Sequence, residues 1–166
     1  SGTTFWVELP FEPLPSEDIP LPDASLTVFQ SKSDGVSRGR VLVVEDNPVS
    51  QLLAAEVLKR LGCQVDVVSN GVEAVESYRQ MPYKLSFMDC NMPVMDGLEA
   101  TQRIRQLEVD LSGSLHVPII AMTASALQGD REKCLAGGMD EFISKPLRLQ
   151  QLAQFVETYL SLPQRS

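Results

Sequence analysis

The sequence is poor in the residues that many binding and catalytic chemistries require. It has three cysteines, Cys63, Cys90 and Cys134, and one histidine, His116. The cysteine number is odd, and the spacing fits neither a C-x-x-C pair nor a zinc-ligand pattern. It reads as the reduced thiols of a cytoplasmic protein. Lys and Arg number 14 against 22 Asp and Glu, a formal charge of -8. Nucleic-acid faces need clustered cations, so no nucleic-acid partner is expected. The acidity reads either as solubility or as a cation-binding cluster. No apolar run is long enough to span a bilayer, and no signal-peptide pattern is present. Direct membrane contact by this segment is therefore not expected, which leaves open an anchor in a longer parent chain.

The 166 residues leave room for one ordinary domain and a tail. Residues 1–10 contain one strand-like run, Thr4-Phe5-Trp6-Val7-Glu8-Leu9, ended by Pro10. One strand cannot satisfy its own edges, so it either docks on the main domain or is the remnant of another. Residues 11–39 read as a linker. Pro13, Pro15, Pro20 and Pro22 interrupt any helix, and Ser and Gly follow.

From residue 40 to 162 the pattern changes, and residues 163–166 read as a tail. Val41-Leu42-Val43-Val44 is a β-branched apolar run of the kind buried on both faces of a parallel sheet. Pro48 suits a first helical turn, Leu52, Leu53, Val57, Leu58 and Leu61 recur at helical spacing, and Gly62 stops the helix. The alternation continues with a strand at 64–68 and a helix at 71–79. A third strand at 85–88 ends in Asp89, and a helix follows at 97–107. A fourth strand at 117–122 ends at Thr123, with a helix at 127–136 closed by Gly137-Gly138. A fifth strand at 141–143 leads to Ser144-Lys145, and a last helix spans 147–159. Five βα units predict an α/β fold, a doubly wound five-stranded parallel sheet with helices on both faces.

Ligands of such sheets bind beyond the carboxyl ends of the strands. Glu45 and Asp46, Asp89 with Asn91, Thr123, and Lys145 all fall there. Three carboxylates brought together favour a hard cation, and Mg²⁺ takes oxygen ligands while keeping several waters. An Asp carboxylate is a nucleophile toward phosphoryl groups. A lysine pairs with phosphoryl oxygen, and a hydroxyl donates to another. Each residue has a plainer reading: Glu45 and Asp46 as helix-capping acids, Thr123 as a strand end, Lys145 as a solvated cation. Their joint placement at successive strand ends points to phosphoryl transfer onto Asp89.

At these residues the chain resembles the receiver domains of two-component signalling. The matching segments are VLVVEDNPVSQ at 41–51, MDCNMPVMDGLEA at 88–100, IIAMTASA at 119–126 and GGMDEFISKP at 137–146. The resemblance implies a flavodoxin-like (βα)5 domain with Asp89 as the phosphoacceptor. It implies Asp46 as a direct Mg²⁺ ligand, Glu45 as an acid acting through water, and Asn91 as a backbone-carbonyl ligand. Thr123 takes the position of the switch hydroxyl, Phe142 that of the switch aromatic, and Lys145 that of the phosphoryl-pairing lysine. Ala124 leaves access to the site, Asn91 and Ser125 lie where phosphoryl lifetime is set, and Lys145-Pro146 matches a cis peptide bond. Glu45 departs from the commoner Asp, and Ser86 places a hydroxyl in a strand usually apolar throughout. Cys90 reads as structural, and His116, in a loop, as a surface residue rather than a phosphohistidine.

The first ten residues resemble the closing strand of a histidine-kinase ATP-binding domain. Together with the linker they imply the receiver of a hybrid sensor histidine kinase. Such a receiver takes its phosphoryl group from the phosphohistidine domain of its own or a cognate kinase and passes it to a histidine phosphotransfer protein. It would be cytoplasmic, with the parent kinase anchored in the inner membrane. Whether the fragment counts as an enzyme stays open, since it lacks the kinase core. Three other readings are weaker. A phosphatase working through an aspartyl phosphate commonly has a second acid where Asn91 stands. A flavodoxin-type cofactor module needs a Gly-rich cradle that no strand end supplies. A pseudo-receiver acting only by protein contact does not need the intact acidic set.

Overall fold

The structure, a computed structural model, describes residues 37–111, 116–125 and 128–160. The strand expected at Thr4–Leu9, the linker up to residue 36 and the tail lie outside the described residues. Ten elements alternate: β1 (Arg40–Val44), α1 (Pro48–Arg60), β2 (Gln64–Val68), α2 (Gly71–Gln80), β3 (Leu85–Asp89), α3 (Gly97–Leu111), β4 (Ile119–Thr123), α4 (Gln128–Ala136), β5 (Glu141–Ser144) and α5 (Leu149–Leu160). The strands form one parallel sheet in the order β2-β1-β3-β4-β5. The chain winds outward from β1 in one direction and then back past it in the other. The order reverses between β1 and β3, where a doubly wound sheet opens a crevice at its carboxyl edge.

Side-chain alternation in the strands builds two cores. Val41, Val43, Leu85, Phe87, Ile120, Met122 and Ile143 face α1 and α5, which contribute Ala54, Val57, Leu58, Leu152, Val156 and Leu160. Leu42, Val44, Met88, Ile119 and Ala121 face the other way, against Ala74 and Val75 of α2, Ala100 and Ile104 of α3, and Cys134 of α4. A one-residue slip in any central strand would exchange these sets, so register is strongly specified. β3 and β4 are buried throughout, which accounts for their near-continuous apolar sequence. The Ser86 hydroxyl is buried beside that of Tyr78, whose ionisation is pushed far up by burial.

Local signals set the element ends. Asn47 caps α1, its Oδ1 accepting from the Val49 and Ser50 amides at 2.9 and 3.2 Å, with Pro48 in the first turn. Gly62 takes φ +85° to close the helix. Three boundaries differ from the sequence reading by two residues or more. β4 begins at Ile119 rather than Val117, because the Val117 amide donates to Glu108 Oε1 at 2.8 Å instead of entering the sheet. That same Glu108 belongs to α3, which runs on to Leu111 rather than ending at 107. α5 begins at Leu149 rather than Leu147, after a cis Lys145-Pro146 peptide. Among the described residues no helix is long and apolar enough to cross a membrane.

Candidate functional site

β1 and β3 are neighbours in the sheet, with β4 and β5 following, so their carboxyl ends meet at one edge. Glu45 follows β1 and its side chain is 1% exposed; Asp89 ends β3 at 5%. Asp46 is exposed at the rim. Oxygens of Glu45, Asp46 and Asp89 all lie within 4.8 Å of one another. Lys145, from the loop after β5, reaches across the edge. Its Nζ donates to Asp89 Oδ2 at 2.7 Å and lies at the same distance from Glu45 Oε2. Glu45 Oε2 is sealed from solvent, and that ammonium is its one partner among the described residues.

Backbone amides hold the acids from behind. The Asn47 amide donates to Glu45 Oε1 at 3.2 Å, and the Asn91 amide to Asp89 Oδ1 at 3.1 Å. Gln51 donates to the Glu45 carbonyl at 2.6 Å and to Ser69 Oγ at 3.1 Å, tying α1 to the acid. Gly97 lets α3 start directly against β3, since a Cβ there would lie 2.1 Å from the Asp89 carbonyl oxygen. Val94, between Asp89 and α3, holds φ +73° and is 84% exposed. That conformation is an outlier for a β-branched residue.

Charge balance is uneven. Burial pushes the Glu45 pKa above its ordinary value, against the pull of Lys145 and the Asn47 amide. Burial works to lower the Lys145 pKa, but the hydrogen bond to Asp89 and the pairing with Glu45 override it and raise the pKa. Three carboxylates thus lie around one ammonium, which reaches only Glu45 and Asp89. A hard, oxygen-seeking divalent cation fits this donor set, and Mg²⁺ is the natural candidate.

The structure brings Glu45, Asp46, Asp89 and Lys145 together as the sequence predicted. It does not bring the Thr123 hydroxyl onto the acids. Thr123 Oγ1 donates to the Ser125 carbonyl at 3.0 Å and accepts from the Ser125 amide at 3.2 Å, turned into its own loop. Phe142 is half-buried in the second core, with the Arg131 guanidinium 5.1 Å from its ring centre. Ala124 and Pro146 are exposed beside the site. His116 is largely exposed, as expected, although it contacts Asp140. Gln51 went unnoticed in the sequence, where only its place in the matched segment 41–51 marked it.

An acidic pocket with one bridging lysine, at the carboxyl edge of a doubly wound sheet, defines a class of phosphoryl-handling α/β domains. The response regulator receiver domain family matches residues 41–157, and the chain belongs to that family. It is 40% identical over 146 residues to Histidine kinase 5 of Arabidopsis thaliana, covering 75% of this chain and 16% of that protein. It is 39% identical over 127 residues to the sensor histidine kinase GacS of Pseudomonas protegens, covering 76% of this chain and 14% of that protein. The chain therefore spans about a sixth or less of these relatives. Among solved structures it is similar to the receiver domain of a sensor histidine kinase from Pseudomonas aeruginosa, which has magnesium coordinated in its active-site cleft. That match has 40% identity and a TM-score of 0.66, covering 75% of this chain and 98% of that one. A co-crystal of the Saccharomyces cerevisiae phosphotransfer protein Ypd1 with the receiver domain of Ssk1 matches at 32% identity and TM-score 0.68, covering 72% of this chain and 87% of that one.

Proposed function

We propose that this chain is the phosphoryl-accepting receiver of a hybrid histidine kinase, with Asp89 as the acceptor. The observation that carries the reading is the position of the Asp89 carboxylate. It is buried, fixed through both oxygens by Asn91 and Lys145, and faced by two further acids. In the transfer, the P–N bond of a phosphohistidine breaks as a bond forms from phosphorus to an Asp89 carboxylate oxygen. Asp46, Asp89 and the Asn91 carbonyl would hold Mg²⁺ directly, and Glu45 through water. The metal supplies neutralisation of charge on the transferring group. Lys145 shifts its ammonium from the carboxylate to a phosphoryl oxygen. Thr123 gives up its bonds to Ser125 and turns its hydroxyl to the same group. Phe142 follows, biasing a two-state equilibrium in the last βα units. Ala124 keeps the entry open, and Asn91, Ser125 and Pro146 shape the approach of water.

The donor is the phosphohistidine domain of its own or a cognate kinase, and the acceptor downstream is a histidine phosphotransfer protein. Val49 and Leu52, 74% and 71% exposed on α1 just after Asp46 and Asn47, support a docking face for such a partner beside the acids. On this reading residues 40–162 are the receiver, 11–39 a tether and 1–10 a remnant strand of the kinase domain. The receiver works in the cytoplasm beneath a parent kinase anchored in the inner membrane.

The test is incubation with acetyl phosphate and Mg²⁺, with the added group mapped by mass spectrometry. Modification at Asp89 that needs Mg²⁺ and is lost in Asp89→Asn is the expected result. A variant Asp89→Asn that still takes up the group at the parent rate would overturn the assignment.

A further inference from the structure

Cys90 follows the acceptor directly, and its Sγ lies 3.4 Å from Cys134 Sγ, 44 positions away on α4. Both are free thiols. They line one cleft together with Asn91, Thr123 and Lys133, the route by which a small solute would reach the sulfur pair. Of the nine described residues of α4, Cys134 alone is buried. Its sulfur is therefore the main apolar anchor of α4. The third cysteine, Cys63, is buried in the opposite core.

We propose that Cys90 and Cys134 are a redox pair that closes to a disulfide under peroxide and pins α4 to the phosphorylation loop. In the first step a thiol sulfur bonds to one peroxide oxygen, the O–O bond breaks, and water leaves, giving a sulfenic acid. In the second the other thiol attacks that sulfur, the S–O bond breaks, and a second water leaves. Two thiols are oxidised to one disulfide while one peroxide is reduced to two waters. The sulfurs need to close by only about 1.4 Å to reach the usual S–S length of about 2.0 Å. That closure draws the α4 wall of the cleft inward and ties it to the residue after Asp89. Thr123, which ends β4, and Ser125, in the loop before α4, then lose the freedom to rearrange, so phosphoryl loading slows. This consequence, unlike the bridge itself, rests on Asp89 being the acceptor.

The test treats the full chain with hydrogen peroxide and digests it with trypsin without reduction. Cys90 falls in peptide 85–103, Cys134 in 134–148 and Cys63 in 61–79. The expected result is a crosslink of the first two peptides, loss of two of the three thiols to alkylation, and recovery with dithiothreitol. Separate sulfinic acids, or two unreacted thiols, overturn the proposal. Acetyl phosphate loading is then compared in the reduced and bridged forms, and in Cys134→Ser before and after peroxide. Severalfold slower loading of the bridged form only, reversed by dithiothreitol, supports the link to α4. Equal rates overturn it. A bridge that forms in a chain that never loads at Asp89 overturns the acceptor assignment and leaves the disulfide standing.

Discussion

Replacing Lys145 by methionine keeps most of the side-chain volume and removes the one ammonium between Glu45 and Asp89. Both carboxylates lose a partner at 2.7 Å. What remains is two buried acids with Asp46 inside the same 4.8 Å cluster. Two unit charges at that distance repel by about 3.5 kcal/mol at an effective dielectric of 20. Breaking a buried pair costs about 3–5 kcal/mol in general. The acids have one escape, which is to take up a proton. Glu45 takes it first, because burial already raises its pKa and Lys145 is the largest influence holding it down. A loss of about 3 kcal/mol is therefore expected near pH 8 without metal.

The sign of the pH dependence follows from the direction of the shift. A carboxyl whose folded pKa is raised costs nothing below its unfolded value, here 4.5, and costs progressively more as pH rises through the folded value. In Lys145→Met the folded value rises further, so the deficit widens upward in pH and narrows toward pH 5. The parent's Lys145 keeps its full contribution across this range, since its own pKa is raised above 10.5 and is lost only in stronger alkali. Mg²⁺ at a hundredfold over its dissociation constant returns about 2.7 kcal/mol. Urea unfolding at pH 5 and 8, with and without Mg²⁺, reads all of this. A variant within 1 kcal/mol of the parent at pH 8 without metal, or a deficit that does not shrink at pH 5, refutes the reasoning.

Three other outcomes are expected. Gly97→Ala forces its Cβ onto the Asp89 carbonyl and should cost about 2 kcal/mol or more in urea unfolding, with slower acetyl phosphate loading. Gly129→Ala, with nothing within 4 Å of the new Cβ, should instead stabilise α4 by about 0.5–1 kcal/mol. Arg105→Ala removes bonds to Gly138 O, Val117 O, Glu108 and Asp140 and should cost about 3 kcal/mol, while Mg²⁺ affinity by titration stays at the parent value.

Much of this architecture is legible in the sequence, because strands buried on both faces must be apolar throughout. Val41 to Val44 announce themselves in that way, as do Leu85 to Met88 but for the buried Ser86. The chemistry is legible for a related reason: polar residues that interrupt such runs fall at strand ends, and a parallel sheet sends all those ends to one edge. What the sequence concealed depends on contacts between distant residues. Arg105 unites α3 with the segments leading into β4 and β5 through partners at 108, 117, 138 and 140, of which only Glu108, three residues on, lies at a spacing that helical periodicity marks. That network moves the start of β4 and lengthens α3. Cys90 and Cys134 meet only because the residue after β3 and the buried residue of α4 pack in the same core. The Thr123 hydroxyl is at the predicted place but in a different direction, since a rotamer is set by the loop it bonds, not by the strand that carries it.

The two edges of the sheet are built for opposite purposes. At the amino edge, Asp140 Oδ2 accepts from both Arg105 and the Ile119 amide, at 2.7 and 2.8 Å, and Glu108 accepts from Arg105 and Val117. Charges there are paired and hydrogen-bonded, which fixes β4 and β5 in place. At the carboxyl edge one lysine serves two buried acids, and neither can be satisfied alone without loss to the other. A phosphoryl group on Asp89 would claim that lysine, leaving Glu45 with an unpaired oxygen in a sealed site. The cation that fits the three acids removes this conflict, so on the proposed reading metal binding is a precondition of a stable phosphoryl state rather than an accessory to it. On that same reading the element left to respond is α4, which has the fewest buried residues of the described helices, and the thiol pair sits at the contact through which that helix is held.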